Sequence, residues 1–163
     1  MLHGRFGDTT GRPYLEGRVY FPRFRLHGDV SFLVDTGADT SLISATDAIQ
    51  IGIDFSAISR TSEAQGIGGI VTSFVEPAII VFIEHGVAIW GYREDLEILP
   101  PPDADAHDGS ELIDDPDESL KLPSLLGREI LDRWRMVYQP SADELSFEVV
   151  SADFTIDRRT SSR

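Results

Sequence analysis

The sequence predicts a mainly β protein with one domain. Residues 14–26, 30–34 and 145–150 are rich in β-branched and aromatic side chains, which are typical of strands. Turns containing glycine or proline separate these segments, and helical periodicity is confined to short stretches. At 163 residues, the chain is long enough to bury one core and short for two domains.

The first part of the chain is predicted to form an arm and then a hairpin. Residues 1–12 lack periodicity, so we expect a flexible N-terminal arm before a domain over residues 13–150. The strand-like segments 14–26 and 30–34 predict a hairpin whose turn is His27-Gly28-Asp29.

A short helix and a glycine-rich hairpin are expected next. Ser44 is a suitable N-cap, and Gly52 a suitable C-terminal stop, for a helix over residues 45–51. Further along, Gly66-Ile67-Gly68-Gly69-Ile70 lies between strand-like segments. This arrangement predicts a long hairpin with a pliable tip.

The second half carries an acidic insert and one further helix. Residues 100–120 begin with three prolines and contain many acidic residues but neither Lys nor Arg, which is typical of a solvated loop. Residues 128–134 are predicted as the main helix, because their apolar side chains fall on one side. Residues 135–150 are expected to form a closing hairpin, and residues 151–163 a C-terminal tail.

The composition argues against several kinds of partner and site. The chain has 28 acidic and 14 basic residues and a formal net charge of −14, which repels nucleic acid and anionic lipid surfaces. Cysteine is absent, which excludes thiolate nucleophiles, disulfides and zinc–thiolate sites. The sequence shows no signal sequence and no apolar run that could cross a bilayer. We therefore expect a cytoplasmic protein without nucleic acid or membrane partners.

One carboxylate is a candidate for catalysis. Asp35-Thr36-Gly37-Ala38-Asp39 directly follows the apolar run Phe32-Leu33-Val34. An aspartate and a glycine after a strand often form only a turn. A carboxylate at the end of a buried strand is also one whose proton affinity a fold can shift.

Three blocks of the sequence resemble the retropepsin-like aspartic protease family. They are residues 35–39, residues 66–70 and Leu125-Leu126-Gly127-Arg128-Glu129-Ile130-Leu131, in the order typical of the family. The similarity is to single-domain, retroviral-protease-like members of the bacterial type. It implies a closed retropepsin-like β-barrel with a glycine-rich flap hairpin and one main short helix near residues 128–134.

The resemblance also implies an activity and a partner. Family members are homodimers in which each chain supplies one Asp-Thr-Gly loop, and this sequence has no second copy of the motif. Asp35 would form a dyad with Asp35 of a second copy and hydrolyse peptide bonds in extended polypeptides by activating a water. The reaction needs neither a metal nor another cofactor.

Further residues take their expected roles from the same resemblance. Thr36 matches the residue that ties the two loops together, and Gly37 offers backbone that substrate can approach. Arg128 matches an arginine that supports the loop through a partly buried, bidentate pair with Asp39. Substrate would bind as an added strand against residues that match the cleft, the pocket walls and the flap: Leu33, Ala38, Asp39, Leu42, Gly66, Ile67, Gly68, Pro123 and Leu125.

Two other functions remain open from the sequence. A homodimer with the same fold could bind a peptide in its cleft without cleaving it. Alternatively, a small β-barrel binding domain could carry the three blocks by chance. The arm, the acidic insert and the hairpin over residues 135–150 depart from the retroviral pattern, which implies a dimer sheet built differently from the retroviral one.

Overall fold

The computed structural model describes residues 1–66, 69–101 and 122–158. Strands dominate these residues. In chain order they are β1 (Leu2–His3), β2 (Arg5–Phe6), β3 (Pro13–Phe21), β4 (Leu26–Val34), β5 (Leu42–Ile43), β6 (Thr61–Gly66), β7 (Gly69–Glu84), β8 (Ala88–Ile98), β9 (Leu125–Leu126), β10 (Trp134–Gln139), β11 (Glu144–Val149) and β12 (Phe154–Asp157). The α-helices described are α1 (Ala45–Ile51) and α2 (Arg128–Leu131), and the 3₁₀ turns are Phe55–Ala57 and Pro140–Ala142.

Six strands of the described chain close into a barrel. Their order is β8-β5-β9-β4-β3-β7, and β7 also pairs with β8. The β4–β9 and β5–β8 pairs are parallel, whereas β3–β4, β3–β7 and β7–β8 are antiparallel. The predicted mainly β fold with a closed barrel is therefore confirmed.

The core fills the inside of this barrel. Val19 and Phe21 of β3, Phe32 of β4, Ile80 of β7 and Leu96 of β8 are almost completely buried. Side chains on a strand alternate between its two faces, so the residues between these core positions reach the outside of the barrel. Burial of apolar area contributes about 25 cal/mol per Å² and is the main source of stability in a chain without disulfides.

Trp134 joins the barrel to a second sheet of order β1-β11-β10. Its ring packs edge-on against Phe82, Tyr92 and Phe147, with centroid separations of 4.9, 5.9 and 5.4 Å. Its Nε1 donates to the Tyr92 hydroxyl at 2.6 Å, and burial raises the pKa of that hydroxyl. The first residue of β10 is thus fixed in the core, while the rest of the strand is exposed.

The helix over residues 45–51 has the bounds that its capping residues predict. Ser44 Oγ accepts the Asp47 N–H, and Gly52 ends α1 with a left-handed φ of 93°. Both signals act within one turn of the helix end, so they can be recognised without knowledge of the tertiary structure.

The predicted hairpin turn at His27-Gly28-Asp29 is wrong. These residues lie within β4 and pair with β3, and the chain turns earlier, at residues 22–25, where Arg25 has a φ of 55°. Gly28 is required for packing, since a Cβ there would lie 2.6 Å from Ile51 Cγ1 of α1. The glycine allows a close approach of helix and strand.

The chain ends near the barrel differ from the expected loose segments. Leu2 is 4% exposed and pairs with Phe147, so part of the N-terminal arm belongs to the second sheet. In the predicted C-terminal tail, β12 pairs with β8. Long-range strand pairing supplies these contacts, and local composition does not reveal it.

The helix expected over residues 128–134 is shorter in the structure, because α2 ends at Leu131 and β10 begins at Trp134. The acidic insert lies almost wholly outside the described residues. Among the residues described, no helix has the length and apolarity that a membrane crossing requires.

Candidate active site

Asp35 lies directly after β4, where the chain leaves the barrel. Its N–H donates to the Leu126 carbonyl oxygen of β9 at 3.1 Å, and its own carbonyl oxygen accepts the Ala38 N–H at 3.2 Å. In the side chain, Oδ1 accepts the Gly37 N–H at 2.8 Å. The residue is half-buried. Asp35 is thus oriented by backbone contacts while its carboxylate can still be reached from outside the chain.

The loop after Asp35 is held by the segment that begins α2. The Arg128 N–H donates to the Ala38 carbonyl oxygen at 2.9 Å, and the Glu129 N–H donates to the Asp39 carbonyl oxygen at 3.2 Å. These N–H groups belong to the first turn of a helix, where they have no partner within the helix itself. The candidate catalytic loop therefore also caps α2.

Two side chains, one from each segment, strengthen the same connection. The Ser41 N–H donates to Glu129 Oε1 at 2.7 Å, and the Gly127 N–H donates to Ser41 Oγ at 2.9 Å. Ser41 is 1% exposed. Glu129 Oε2 is buried and has no hydrogen-bond partner among the described residues. Together with the backbone bonds, these contacts hold residues 38–41 against residues 127–129.

Gly127 permits this close contact. A Cβ at residue 127 would lie 2.4 Å from the Thr40 carbonyl carbon and 2.6 Å from its oxygen. Backbone atoms cannot rotate away as the end of a flexible side chain can. The glycine within the third block of the sequence is thus required because another backbone segment occupies the space beside it.

Arg128 contacts Asp39 through its side chain. The guanidinium Nη2 meets Asp39 Oδ1, and this contact raises the pKa of Arg128. The pair is exposed and runs through one guanidinium nitrogen, with 49% of the Arg128 and 79% of the Asp39 side chain accessible. It therefore differs from the partly buried, bidentate pair that the resemblance implies. Since exposed pairs contribute little stability, the backbone contacts hold the loop more strongly than this pair does.

Three of the predicted substrate-contacting residues form a row beside Asp35. Leu33 of β4 pairs with Leu125 of β9, and Leu125 pairs with Leu42 of β5. Paired residues on neighbouring strands project from the same face of a sheet. Their neighbours Phe32 and Leu126 are buried, whereas the three leucines are half-buried. The row therefore lies on the face away from the core and can contact apolar side chains of a ligand.

The glycine-rich segment belongs to the hairpin formed by β6 and β7. The strands pair from Thr61 with Phe74 to Gly66 with Gly69. Ile67 and Gly68 lie outside the described residues. The hairpin itself is present, and its role as a flap over the site stays a prediction.

The base of this hairpin is attached to the barrel. Arg23 donates to both carboxylate oxygens of Glu76, at 2.8 and 2.7 Å, and to the Ala57 carbonyl oxygen at 3.0 Å. Phe55 packs against Phe74 with centroids 5.4 Å apart. Glu76 is 2% exposed, so its charge depends on Arg23 for compensation.

The other predicted site residues have fewer contacts. Thr36 and Gly37 are exposed on the loop, and Pro123 is half-buried next to Ser124. Ser124 itself was not predicted from the sequence, nor were Ser41, Gly127 and Glu129 as supporting residues. Ser124 Oγ accepts the Ser44 N–H at 2.9 Å and donates to Asp47 Oδ2 at 2.5 Å. The sequence does contain a signal that could have indicated this network, since polar residues stand immediately next to short apolar strands.

No group of three or more His, Cys, Asp or Glu side chains suited to a metal ion occurs in the described part of the chain. The Asp35 carboxylate on the loop is oriented by the Gly37 N–H.

Comparison with known proteins agrees with this geometry. Residues 26–81, which contain Asp35 and most of the β6–β7 hairpin, match the aspartyl protease family model. The crystal structure of a retropepsin-like aspartic protease from Rickettsia conorii matches with a TM-score of 0.52 and 19% sequence identity, covering 89% of this chain and 86% of that chain. The fold is retropepsin-like.

The resemblance predicted from the three sequence blocks is thereby confirmed. The retropepsin-like fold and the family match support a protease function in general terms. No curated protein sequence matches the chain significantly.

Proposed function

We propose that this retropepsin-like chain is an aspartic endopeptidase that acts as a homodimer. The observation that carries the proposal is Asp35, a half-buried carboxylate at the end of β4 whose loop is held by residues 127–129. The sequence contains one Asp-Thr-Gly motif. A second copy of the chain would therefore supply the other half of the site.

Two carboxylates at hydrogen-bonding distance do not readily ionise together, so the pair would hold one proton between them. The ionised carboxylate removes a proton from a water, and the water oxygen bonds to the carbonyl carbon of the peptide. The protonated carboxylate gives its proton to the carbonyl oxygen. The carboxylate that took the water proton then passes it to the amide nitrogen. The other carboxylate takes back a proton from a hydroxyl of the tetrahedral diol as the C–N bond breaks, which releases the acid and amine products and leaves the pair with one proton again.

The substrate in this proposal is an extended polypeptide. It would lie between the Asp35 loop and the β6–β7 hairpin and form backbone hydrogen bonds as an added strand. The row of Leu33, Leu42 and Leu125 favours apolar side chains next to the cleaved bond. In this arrangement Ala38, Asp39, Gly66, Ile67, Gly68 and Pro123 complete the binding surface.

The test compares wild type with Asp35→Asn on a mixed peptide library, with the products read by mass spectrometry. Asn keeps the acceptor for the Gly37 N–H but cannot act as base, so cleavage should fall by at least about a thousandfold. Asp8→Asn, a substitution in an exposed turn of the N-terminal segment, is the control and should leave cleavage unchanged.

Wild-type activity should fall on both sides of an optimum pH, because the pair works with one proton.

Equal cleavage by wild type and Asp35→Asn would reject the proposal that Asp35 catalyses peptide hydrolysis. Binding of library peptides without any cleavage, across the acidic and neutral range, would support the non-catalytic peptide-binding homodimer instead. A separate measurement, the mass of the active species in solution, decides whether that species is a homodimer.

A further inference from the structure

The outer edge of β10 is an exposed apolar surface. The five residues after Trp134 are all exposed, and Met136, Val137 and Tyr138 are 39, 43 and 50% accessible. Among the described residues, β10 is the last strand of the sheet β1-β11-β10, so its outer edge has no neighbouring strand. Exposed edge strands are usually protected by charges, by proline or by a short length. An apolar edge therefore indicates a surface that another chain covers.

The charge around β10 also differs from that of the chain as a whole. Residues 133–142 contain Arg133 and Arg135 but no Asp or Glu, although the chain has twice as many acidic as basic residues. The acidic residues that pair with β10 from β11 are Glu144 and Glu148, and Glu148 forms an ion pair with Arg135. Two chains that each carry a net charge of −14 repel each other least where local acidic charge is low or compensated. The charge distribution thus favours this edge as the place where two copies meet.

We infer that two copies of the chain associate by antiparallel pairing of their β10 strands about a two-fold axis at Val137. This inference rests on the proposed homodimer and specifies its interface. A two-fold axis perpendicular to a sheet pairs residues whose side chains project from the same face. Because successive side chains on a strand alternate between faces, the axis must pass through a residue that pairs with the same residue of the second copy. Val137 is the midpoint of the exposed run from Arg135 to Gln139.

This register matches apolar residues with apolar residues. Met136 would lie opposite Tyr138 of the second copy. Within one chain, Met136 already pairs with Phe147, and Tyr138 pairs with Leu145. The apolar row Phe147–Met136 would therefore continue into Tyr138 and Leu145 of the second copy, across a joined six-stranded sheet.

The same register avoids repulsion between like charges. Arg135 would lie opposite Gln139 of the second copy, and Val137 opposite its own copy. In the antiparallel register, Trp134 would lie opposite Pro140, which lacks an N–H and so ends the ladder. Paired residues on the two edges thus agree in polarity over the whole exposed run.

This interface would lie close to the catalytic loop. α2 has four residues, which corresponds to about 6 Å of helix. Its first residue, Arg128, bonds to Ala38 and Asp39 of the Asp35 loop, and β10 begins three residues after α2 ends. Pairing of the β10 strands would therefore fix the position of each Asp35 loop through a short, hydrogen-bonded segment.

The test uses the absence of cysteine from the chain. In Val137→Cys, each chain carries one thiol, and the two thiols should meet at the axis. Directly opposed Cβ atoms in a sheet are about 4.5–5.5 Å apart, close to the spacing of a disulfide. Mild oxidation at low protein concentration should give a covalent dimer that reductant reverses. Ile49→Cys, on the exposed side of α1, is the matched control and should remain monomeric on a non-reducing gel.

A pair of variants tests the register. A mixture of Met136→Cys and Tyr138→Cys chains should cross-link to each other more efficiently than either chain to itself. Val137→Arg places two cations at the axis and should raise the dimer dissociation constant by at least about a hundredfold. Circular dichroism should show an unchanged fold, since the side chain is exposed.

The possible outcomes separate this inference from the proposed function. If wild type is dimeric and active, but Val137→Cys does not cross-link and Val137→Arg remains dimeric, the β10 interface is wrong and the homodimer stands. If wild type stays monomeric at concentrations where Asp35-dependent cleavage occurs, both the homodimer and the interface are wrong. Cross-linking of Ile49→Cys as efficient as that of Val137→Cys would also overturn the inference.

Discussion

At residue 127, the absence of a side chain determines how the candidate catalytic loop is held. The backbone of Thr40 lies where a Cβ would project, at 2.4 Å. The neighbouring residues Arg128 and Glu129 bond to the carbonyl oxygens of Ala38 and Asp39. A displacement at residue 127 would therefore move the segment that follows Asp35.

Gly127→Ala is expected to lower the free energy of unfolding by about 1–3 kcal/mol, the usual cost of overpacking a closely packed site. It should also reduce cleavage by about tenfold or more, because the loop shifts relative to substrate. Urea denaturation and initial cleavage rates measure the two effects. Gly86→Ala lies in an exposed turn with open space around it; it should cost about 1 kcal/mol for its positive φ and leave cleavage intact. Full activity of Gly127→Ala would contradict the role assigned to this contact.

Asp153 gives the fold a dependence on pH. Its Oδ2 accepts the Arg93 N–H at 2.7 Å and its Oδ1 accepts from Arg133 Nη2 at 2.8 Å. The backbone donor, followed by Arg133, lowers the pKa of the Asp153 carboxyl. A carboxyl group with a lower pKa in the folded state stabilises the fold above the pKa of the unfolded state. This stabilisation is lost as the pH falls through the folded-state value.

Asp153→Asn should lower the free energy of unfolding by about 1–2 kcal/mol at pH 7, since it weakens hydrogen bonds to a charged acceptor. The difference from wild type should shrink below about pH 4, the ordinary range for aspartate, and vanish at lower pH. Denaturation curves between neutral and acidic pH measure this. Asp8→Asn is the control. A difference that stays constant with pH would show that the charge of Asp153 does not contribute.

Among the structural elements, the β6–β7 hairpin depends on one buried charge at its base. Arg23 and Glu76 form a two-bond ion pair in which the Glu76 side chain is 3% exposed. Arg18 and Asp29 form a similar two-bond pair between β3 and β4, but 69% of the Asp29 side chain is exposed. The two pairs share their geometry and differ in burial.

Arg23→Met should lower the free energy of unfolding roughly three times as much as Arg18→Met. Loss of Arg23 removes the hydrogen-bonded counter-charge of a buried carboxylate, whereas an exposed pair contributes little. Chemical denaturation of the two variants provides the comparison, and Arg18→Met is the matched control. Adding Glu76→Gln to Arg23→Met should recover part of the loss. Equal effects of the two arginine substitutions would mean that Glu76 is compensated by other groups.

The elements also show which features the sequence can predict. The bounds of α1 follow from Ser44 and Gly52, since capping acts between residues a few positions apart. The turn assigned to residues 27–29 failed because Gly28 is needed for contact with Ile51, and such a contact between distant residues leaves no local pattern. β1 and β12 were not predicted for the same reason. Each forms by pairing with a distant strand, β1 with β11 and β12 with β8.

The sequence indicated the candidate site residues but not the contacts that support them. Asp35 and Leu125 lie in blocks that can be recognised along the chain, Leu33 and Leu42 lie in short apolar runs, and the roles of all four stay predictions. The contacts of Ser41 and Glu129 depend on the meeting of two loops that are far apart in sequence. They could be assigned only after the packing of those loops was known.

For the whole molecule, charge should influence assembly. Each chain carries −14, and the repulsion between two such chains is screened over about 10 Å at 0.1 M salt. The inferred interface at β10 has few charges of its own to be weakened by salt. The dimer dissociation constant should therefore fall as NaCl rises from about 0.05 to 0.5 M, as measured by analytical ultracentrifugation. Weaker association at higher salt would indicate an interface held by opposite charges.

The pairing of β1 with β11 has a consequence for how the protein is made. Leu2 and Phe147 are register partners from opposite ends of the described chain. A ribosome delivers residues in order, so Leu2 must wait for its partner until nearly the whole described sequence has emerged. Contacts between such distant residues slow folding. β10, the strand inferred to join two copies, pairs with that same late strand. Under the proposed function, a nascent chain would therefore lack a completed site during its own synthesis.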